Sequence, residues 1–241
     1  MARKKKNKVL STLFTIIVVI AVIWMKFKET TSDKESEEGF SSDNVESTLS
    51  NDQSDAGNGM LTSVSLSSSK FQVIEGCSLI DHRGNDGDSF HVNTPKGKEE
   101  VRLYYVDAPE SAARTYRNGD TNHKRIAQQG DAMGGLNRSE TTQVGVDAKA
   151  FVKELLNGKK FSIATTREKV YGSRRIYAYV IVKWKGQQRY LHELLVANGL
   201  GRIHTKPMTL PDNTSSSRHK QHLRKLEEQA KSKNYGAWKL R

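Results

Sequence analysis

The sequence predicts a mainly β α+β domain, a small five-stranded barrel with three helices packed on it. Short strand-like runs bounded by turn residues carry the first half of that prediction. They fall at residues 71–80, 89–93, 99–106, 160–166 and 175–182, with Thr94-Pro95-Lys96-Gly97 as a turn between the second and third. Helical patterns carry the second half. Residues 144–156 place Val146, Ala150, Phe151 and Leu155 on one face before Gly158. A second helix spans 190–198 and ends at Gly199, and a third, strongly charged, spans 219–232. Five strands and three helices in one short domain suit a barrel with helices against it. Residues 110–145 show no periodicity and read as a long loop.

The domain occupies residues 71–241, and the rest of the chain is of a different kind. Residues 1–28 hold seven basic and no acidic side chains, with Lys4, Lys5, Lys6 and Lys8 ahead of an apolar run at 9–25. Those seventeen residues would span about 25 Å as a helix, the short end of what crosses a bilayer. The exit Ile23-Trp24-Met25-Lys26 lacks the small residues of a cleavage site. The reading is a signal anchor with the N-terminus cytoplasmic and the domain exported; a cleaved signal, giving a secreted protein, is the competing one. Residues 29–70 hold nine acidic and two basic residues among many Ser, Asn and Thr, and are expected to form a disordered acidic linker.

Charge points to a polyanionic partner. The formal net charge is +12, and residues 71–241 carry all of that excess, 30 basic against 18 acidic. The lone cysteine, Cys77, excludes an intramolecular disulfide and a Cys-rich zinc site; in a strand it reads as a buried small hydrophobe. His204, His219 and His222 are expected on the surface beside the basic helix. Asp120, His123 and Asp131 match no metal-ligand spacing.

The chemistry is concentrated between Asp86 and Glu110. Asp86-Gly87-Asp88-Ser89 precedes a strand, and Arg102-Leu103-Tyr104-Tyr105-Val106-Asp107-Ala108-Pro109-Glu110 follows it. Asp88 and Asp107 are candidate ligands for a hard cation such as calcium or magnesium, since no His or Cys accompanies them. Pro109 holds Ala108 extended, which can aim the Ala108 carbonyl at the ion. Glu110 is a candidate base or water-orienting group, and Arg102 a phosphate-binding fork. Arg102 and Asp107 are five extended steps apart, about 16 Å, so the strand must curl or the arginine must reach.

Taken in order, these motifs resemble the staphylococcal nuclease-like (thermonuclease) family. The resemblance continues through Val146-Asp147-Ala148-Lys149-Ala150-Phe151, Tyr171-Gly172-Ser173-Arg174-Arg175-Ile176-Tyr177-Ala178-Tyr179, His192-Glu193-Leu194-Leu195, the helix around Gln221–Lys231 and Gly236-Ala237-Trp238. It implies an OB-fold barrel and a calcium-dependent nuclease of DNA and RNA that cuts the bond from phosphorus to the 5′ oxygen. It implies Asp88, Asp107 and the Ala108 carbonyl as calcium ligands, Glu110 as base, and Arg102 and Arg175 on the phosphate. Arg174 is the alternative to Arg175, because one extra residue follows Tyr171-Gly172. Strand register favours Arg175. Tyr177 and Tyr179 are candidate base-stacking residues, with core roles open to both. The loop at 111–142 is longer than the family's and carries Arg114, Arg117, Lys124, Arg125 and Arg138, either as a substrate grip or as a solvated insertion. A non-catalytic nucleic-acid-binding or DNA-uptake module is the alternative function. No obligate protein partner is expected.

Overall fold

A computed structural model describes residues 60–241, so the predicted anchor and most of the predicted linker lie outside the described residues. Strands β1 (Gln72–Leu79), β2 (Ser89–Thr94), β3 (Gly97–Leu103), β5 (Phe161–Thr165) and β6 (Ile176–Trp184) form a five-stranded barrel. The order is β3-β2-β1-β5-β6, and a parallel β3–β6 pairing closes it. The other pairings are antiparallel. A hairpin strand, β7 (Gln187–Tyr190), extends β6. The register of β1 against β5 shifts between Ile74 and Cys77, where Gly76 adopts φ +71°. That bulge bends β1 so that it can pair on both edges around a small barrel. Cys77 is buried there, as expected.

Strand β3 does not run on to Val106 as the sequence suggests. It stops at Leu103, Tyr105 takes φ 67°, and the chain resumes as β4 (Val106–Asp107), which pairs with β8 (Arg202–Ile203). A left-handed φ is unusual for a bulky residue. Here the surroundings hold it: Tyr105 N–H donates to the Lys206 carbonyl, and the Tyr105 carbonyl accepts from His204 N and Thr205 N. The Val106 amide closes a tight turn onto the Tyr104 carbonyl at 2.8 Å. This reversal removes the 16 Å problem by folding Asp107 back toward Arg102.

Among the described residues there are four α-helices, one more than predicted. Helix α1 (His123–Ala132) lies within the stretch read as a loop, and α2 (Arg138–Leu156) begins six residues before the predicted start. The sequence held a signal for the second. Asn137 and Glu140 form a reciprocal capping box, Asn137 Oδ1 accepting from Glu140 N at 3.0 Å and Glu140 Oε2 from Asn137 N at 2.8 Å. The inward face of α2 is Val144, Gly145, Ala148, Phe151, Val152 and Leu155; the predicted Val146 and Ala150 are exposed. Helices α3 (Leu191–Ala197) and α4 (Ser216–Ser232) match their predicted counterparts within three residues. None of these helices is long and apolar enough to cross a membrane.

The last eleven residues of the predicted linker, 60–70, lie within the described residues and are held on the domain. Leu61 is buried, Thr62 N–H donates to Glu193 Oε2 at 2.8 Å, and Ser68 N–H donates to the Pro211 carbonyl at 2.7 Å. Backbone hydrogen bonds and one buried leucine are what composition alone could not reveal there.

Candidate active site

Asp88, Arg102, Asp107, Ala108 and Glu110 meet at one mouth of the barrel. Asp88 ends the turn before β2, and its amide-to-carboxylate reach is short because Gly87 lets the chain pass close. A Cβ on Gly87 would sit 2.8 Å from both the Ala108 and Ala148 methyls. Asp88 Oδ2 accepts from Ala108 N at 2.7 Å, and Oδ1 from Arg102 Nη1 at 2.8 Å and Ser89 Oγ at 3.1 Å. Arg102 lies mid-β3, and its other terminal nitrogen donates to Asp107 Oδ1 at 2.7 Å. One guanidinium thus bridges the two carboxylates that the sequence singles out.

Three residues outside the motifs complete the network, of which sequence reasoning named only Arg125, as part of the basic loop. Arg125 of α1 donates through Nη2 to Asp107 Oδ1 at 2.5 Å and through Nε to Glu110 Oε1 at 2.8 Å. Gln129, also on α1 and fully buried, donates to Asp107 Oδ2 at 3.0 Å and to the Ala108 carbonyl at 3.1 Å, and accepts from Glu110 N at 3.0 Å. Arg202 of β8 donates to Asp107 Oδ2 at 2.8 Å. Arg125 belongs to the basic set of the 111–142 loop, so that loop contributes directly to the site. Neither Gln129 nor Arg202 sits in a motif.

The electrostatics follow from this wiring. The Asp107 carboxyl is held below its ordinary value by Arg125, Gln129, Arg102 and Arg202 acting together against its burial. Asp86 behaves oppositely. Burial first, then the Asp88 and Glu110 carboxylates, push it up to about 7. Asp88 is also pushed up, by burial first and by Asp107, against the pull of Arg102. Crowded carboxylates driven toward protonation are what a cation relieves.

The donor set contains only oxygens, which fits a hard divalent cation. An ionised carboxylate offers about four lone-pair positions. Asp107 already accepts from four protein donors, two on each oxygen. Asp88 accepts from three donors, and the Ala108 carbonyl from Gln129. Asp88 and Ala108 therefore each retain room for an ion, while Asp107 gains it once Arg125 turns away. The Arg125 side chain is 41% exposed and has solvent to turn into, whereas Arg102 is 12% exposed.

Arg102, Asp107, Glu110, Arg125, Val170, Arg175, Tyr177, His204 and Thr205 line a cleft of about 400 Å³. Arg175 is the arginine of the pair that faces it. Its Nη1 donates to Ser89 Oγ and its Nε to Ser173 Oγ, each at 3.2 Å, whereas Arg174 is exposed in the preceding turn. Tyr177 borders the cleft, its ring stacked on Tyr104 at 5.2 Å. Tyr179 is corrected to a core residue: it is fully buried and its hydroxyl donates to the Met208 carbonyl at 2.8 Å, so no base can reach its face. His219 is likewise buried rather than on the surface.

A closed five-stranded barrel with helices packed on it is consistent with an OB-fold. The chain matches the model of the staphylococcal nuclease homologue family over residues 100–240, and it belongs to that family. Membership supports a nuclease or nucleic-acid-binding function in general terms. No curated protein matches the chain.

Proposed function

We propose that this chain is an exported, membrane-anchored, calcium-dependent nuclease that hydrolyses phosphodiester bonds of DNA and RNA. The observation that carries the reading is the 400 Å³ cleft, in which Glu110 and the two arginines Arg102 and Arg175 face a common space. Arg102 and Arg175 would grip the phosphoryl oxygens and stabilise the charge that builds on them. Asp88, Asp107 and the Ala108 carbonyl would hold calcium, which supplies further neutralisation of that charge and orders water beside the phosphate. Glu110 would take a proton from the attacking water. The water oxygen bonds to phosphorus, the bond to the 5′ oxygen breaks, and that oxygen leaves as a hydroxyl after protonation from solvent, so the product ends in a 3′-phosphate. Arg125 would release Asp107 and Glu110 as the site loads. The excess of positive charge on residues 71–241 would draw the polyanion in and make binding fall steeply with salt.

The test is incubation of the purified chain with plasmid and with RNA, in calcium or in chelator. Degradation in calcium alone, leaving 3′-phosphate ends, is the expected result. Tight binding without cleavage in every divalent ion tried would instead identify a binding module. The anchor rests on residues 1–28 and predicts full-length protein in the membrane pellet. A shortened form in the medium would show that the segment is cleaved.

A further inference from the structure

A cluster of three imidazoles and a carboxylate lies beneath the turn that sets Asp107, and the nuclease reading makes no use of it. Helix α3 supplies His192 and Glu193, and α4 supplies His219 and His222. His192, Glu193 and His219 are buried to within 1%. His192 Nε2 stands 2.7 Å from His219 Nε2. Glu193 Oε1 stands 3.8 Å from His219 Nδ1 and 3.6 Å from His222 Nε2. One potential ligand atom from each of His192, Glu193 and His219 lies within 4.8 Å of the others.

Hydrogen bonding within the protein leaves this cluster incomplete. Glu193 Oε2 accepts the Thr62 amide, but Glu193 Oε1 has no donor, and His192 Nδ1 has no partner. A single shared proton between His192 and His219 satisfies one nitrogen of each ring and does nothing for the carboxylate. A buried carboxylate with one backbone N–H is costly unless a cation accompanies it. The donors are two neutral-capable imidazoles and one carboxylate oxygen. That set suits zinc and its borderline neighbours and differs from the all-oxygen mouth of the barrel.

We propose that His192, Glu193 and His219 form a second metal site, for a divalent ion of the zinc class, that cross-links α3 to α4. Tetrahedral zinc with nitrogen ligands at about 2.0–2.1 Å sets its ligand atoms on the order of 3.3 Å apart. The two Nε2 atoms need to separate by about half an ångström, and the carboxylate oxygen, within 4.8 Å of the ligand nitrogens, needs to approach by up to about 1.5 Å. A cavity of about 300 Å³ lined by Thr62, Leu210, Thr214, Arg218, His219 and His222 opens onto the cluster. It provides an entry path and room for a fourth ligand, His222 or water. The Tyr105 ring lies 5.7 Å from that of His192 and 4.8 Å from that of His219. Tyr105 is the left-handed residue that turns β3 into β4. An ion here would brace the turn on which Asp107 depends.

The experiment uses the full chain stripped with chelator and titrated with cobalt(II), a spectroscopic stand-in for zinc. The expected result is the visible ligand-field absorption of a four-coordinate site, one equivalent per chain, displaced by zinc and untouched by Asp88→Asn at the barrel mouth. Glu193→Gln and His219→Asn should each lower zinc affinity by about tenfold or more. Zinc should raise the melting temperature of the wild-type chain and leave that of a folded Glu193→Gln variant unchanged. Absence of the cobalt signature in the folded wild-type chain overturns the proposal without reference to either variant. So does a signature that persists in both variants. Neither readout involves nucleic-acid cleavage, so failure here is distinct from failure of the nuclease reading.

Discussion

Arg125 and Asp107 lie 18 residues apart, on α1 and β4, and meet at 2.5 Å, while the Nε of the same arginine holds Glu110 at 2.8 Å. One side chain therefore occupies two groups that a cation and a water would otherwise engage. Its positive charge is a tethered substitute for part of the ion's. Arg125→Gln is expected to raise the affinity of the chelator-stripped chain for calcium by about tenfold, equivalent to about 1.4 kcal/mol. Calorimetric titration measures it, and Arg114→Gln, an exposed cation of the same loop, should change affinity far less. Equal effects of the two substitutions would reduce Arg125 to a contributor of general charge.

Arg102 and Arg175 are expected to act on the phosphate, and their neighbours differ in ways that mutation can separate. Arg175 reaches Ser89 across the cleft, while Arg174 points to solvent. Arg175→Gln should lower kcat by about 10²–10³-fold, as loss of a transition-state donor does, and Arg174→Gln by less than about threefold. Arg102→Gln should be at least as severe, because it also strips Asp88 and Asp107 of a shared donor. Circular dichroism must show all three variants folded. A larger loss from Arg174 than from Arg175 would reverse the assignment.

The parts of the site legible in the sequence are those whose geometry is local. Asp88 immediately precedes Ser89, which pairs directly with Arg102 across a two-stranded ladder, so a motif captures them. Arg175 follows from strand register, since Tyr177 pairs with Arg102 on the parallel edge. Arg202 reaches Asp107 from 95 residues away through a two-residue strand too short to leave a pattern. Helix α1 buries only Ile126, Gln129 and Gly130 of its ten residues, so it offers almost no apolar stripe. His219 was legible in principle. It shares the buried stripe of Leu223, Leu226 and Ala230, but the basic residues between them mask the spacing.

Gly145 packs helix α2 against the backbone of Pro109 and Glu110. A Cβ there would lie 2.5 Å from the carbonyl oxygens of Pro109 and Glu110, backbone atoms that cannot swing aside. Alanine gains about 1 kcal/mol of helix propensity over glycine, and the forced shift of the loop outweighs it. Gly145→Ala should cost about 1–3 kcal/mol net, a fall of roughly 2–10 °C in melting temperature. Because the displaced backbone carries Glu110, kcat should fall as well in variant protein that is still folded. A stabilised, fully active Gly145→Ala chain would mean that α2 is free to slide, and that its contact does not position the base.

The barrel interior holds a run of buried tyrosines, Tyr104, Tyr105, Tyr179 and Tyr190, and this gives the fold an alkaline limit. Burial pushes Tyr104 up to about 12, and the same cause raises Tyr105, Tyr179 and Tyr190. The unfolded tyrosine titrates near 10, so the folded state holds its proton more tightly. The corresponding stability is fully present below about pH 10 and is lost as pH rises from 10 through 12. The part of the tyrosinate absorbance that belongs to these four buried rings should therefore appear together with the loss of circular dichroism, within that window. Tyr104→Phe removes one titrating group and the 3.2 Å contact with Thr166, so it should cost about 1 kcal/mol at neutral pH and flatten the alkaline limb. Ionisation of these four tyrosines near pH 10 with the fold intact would show that the barrel admits hydroxide without opening.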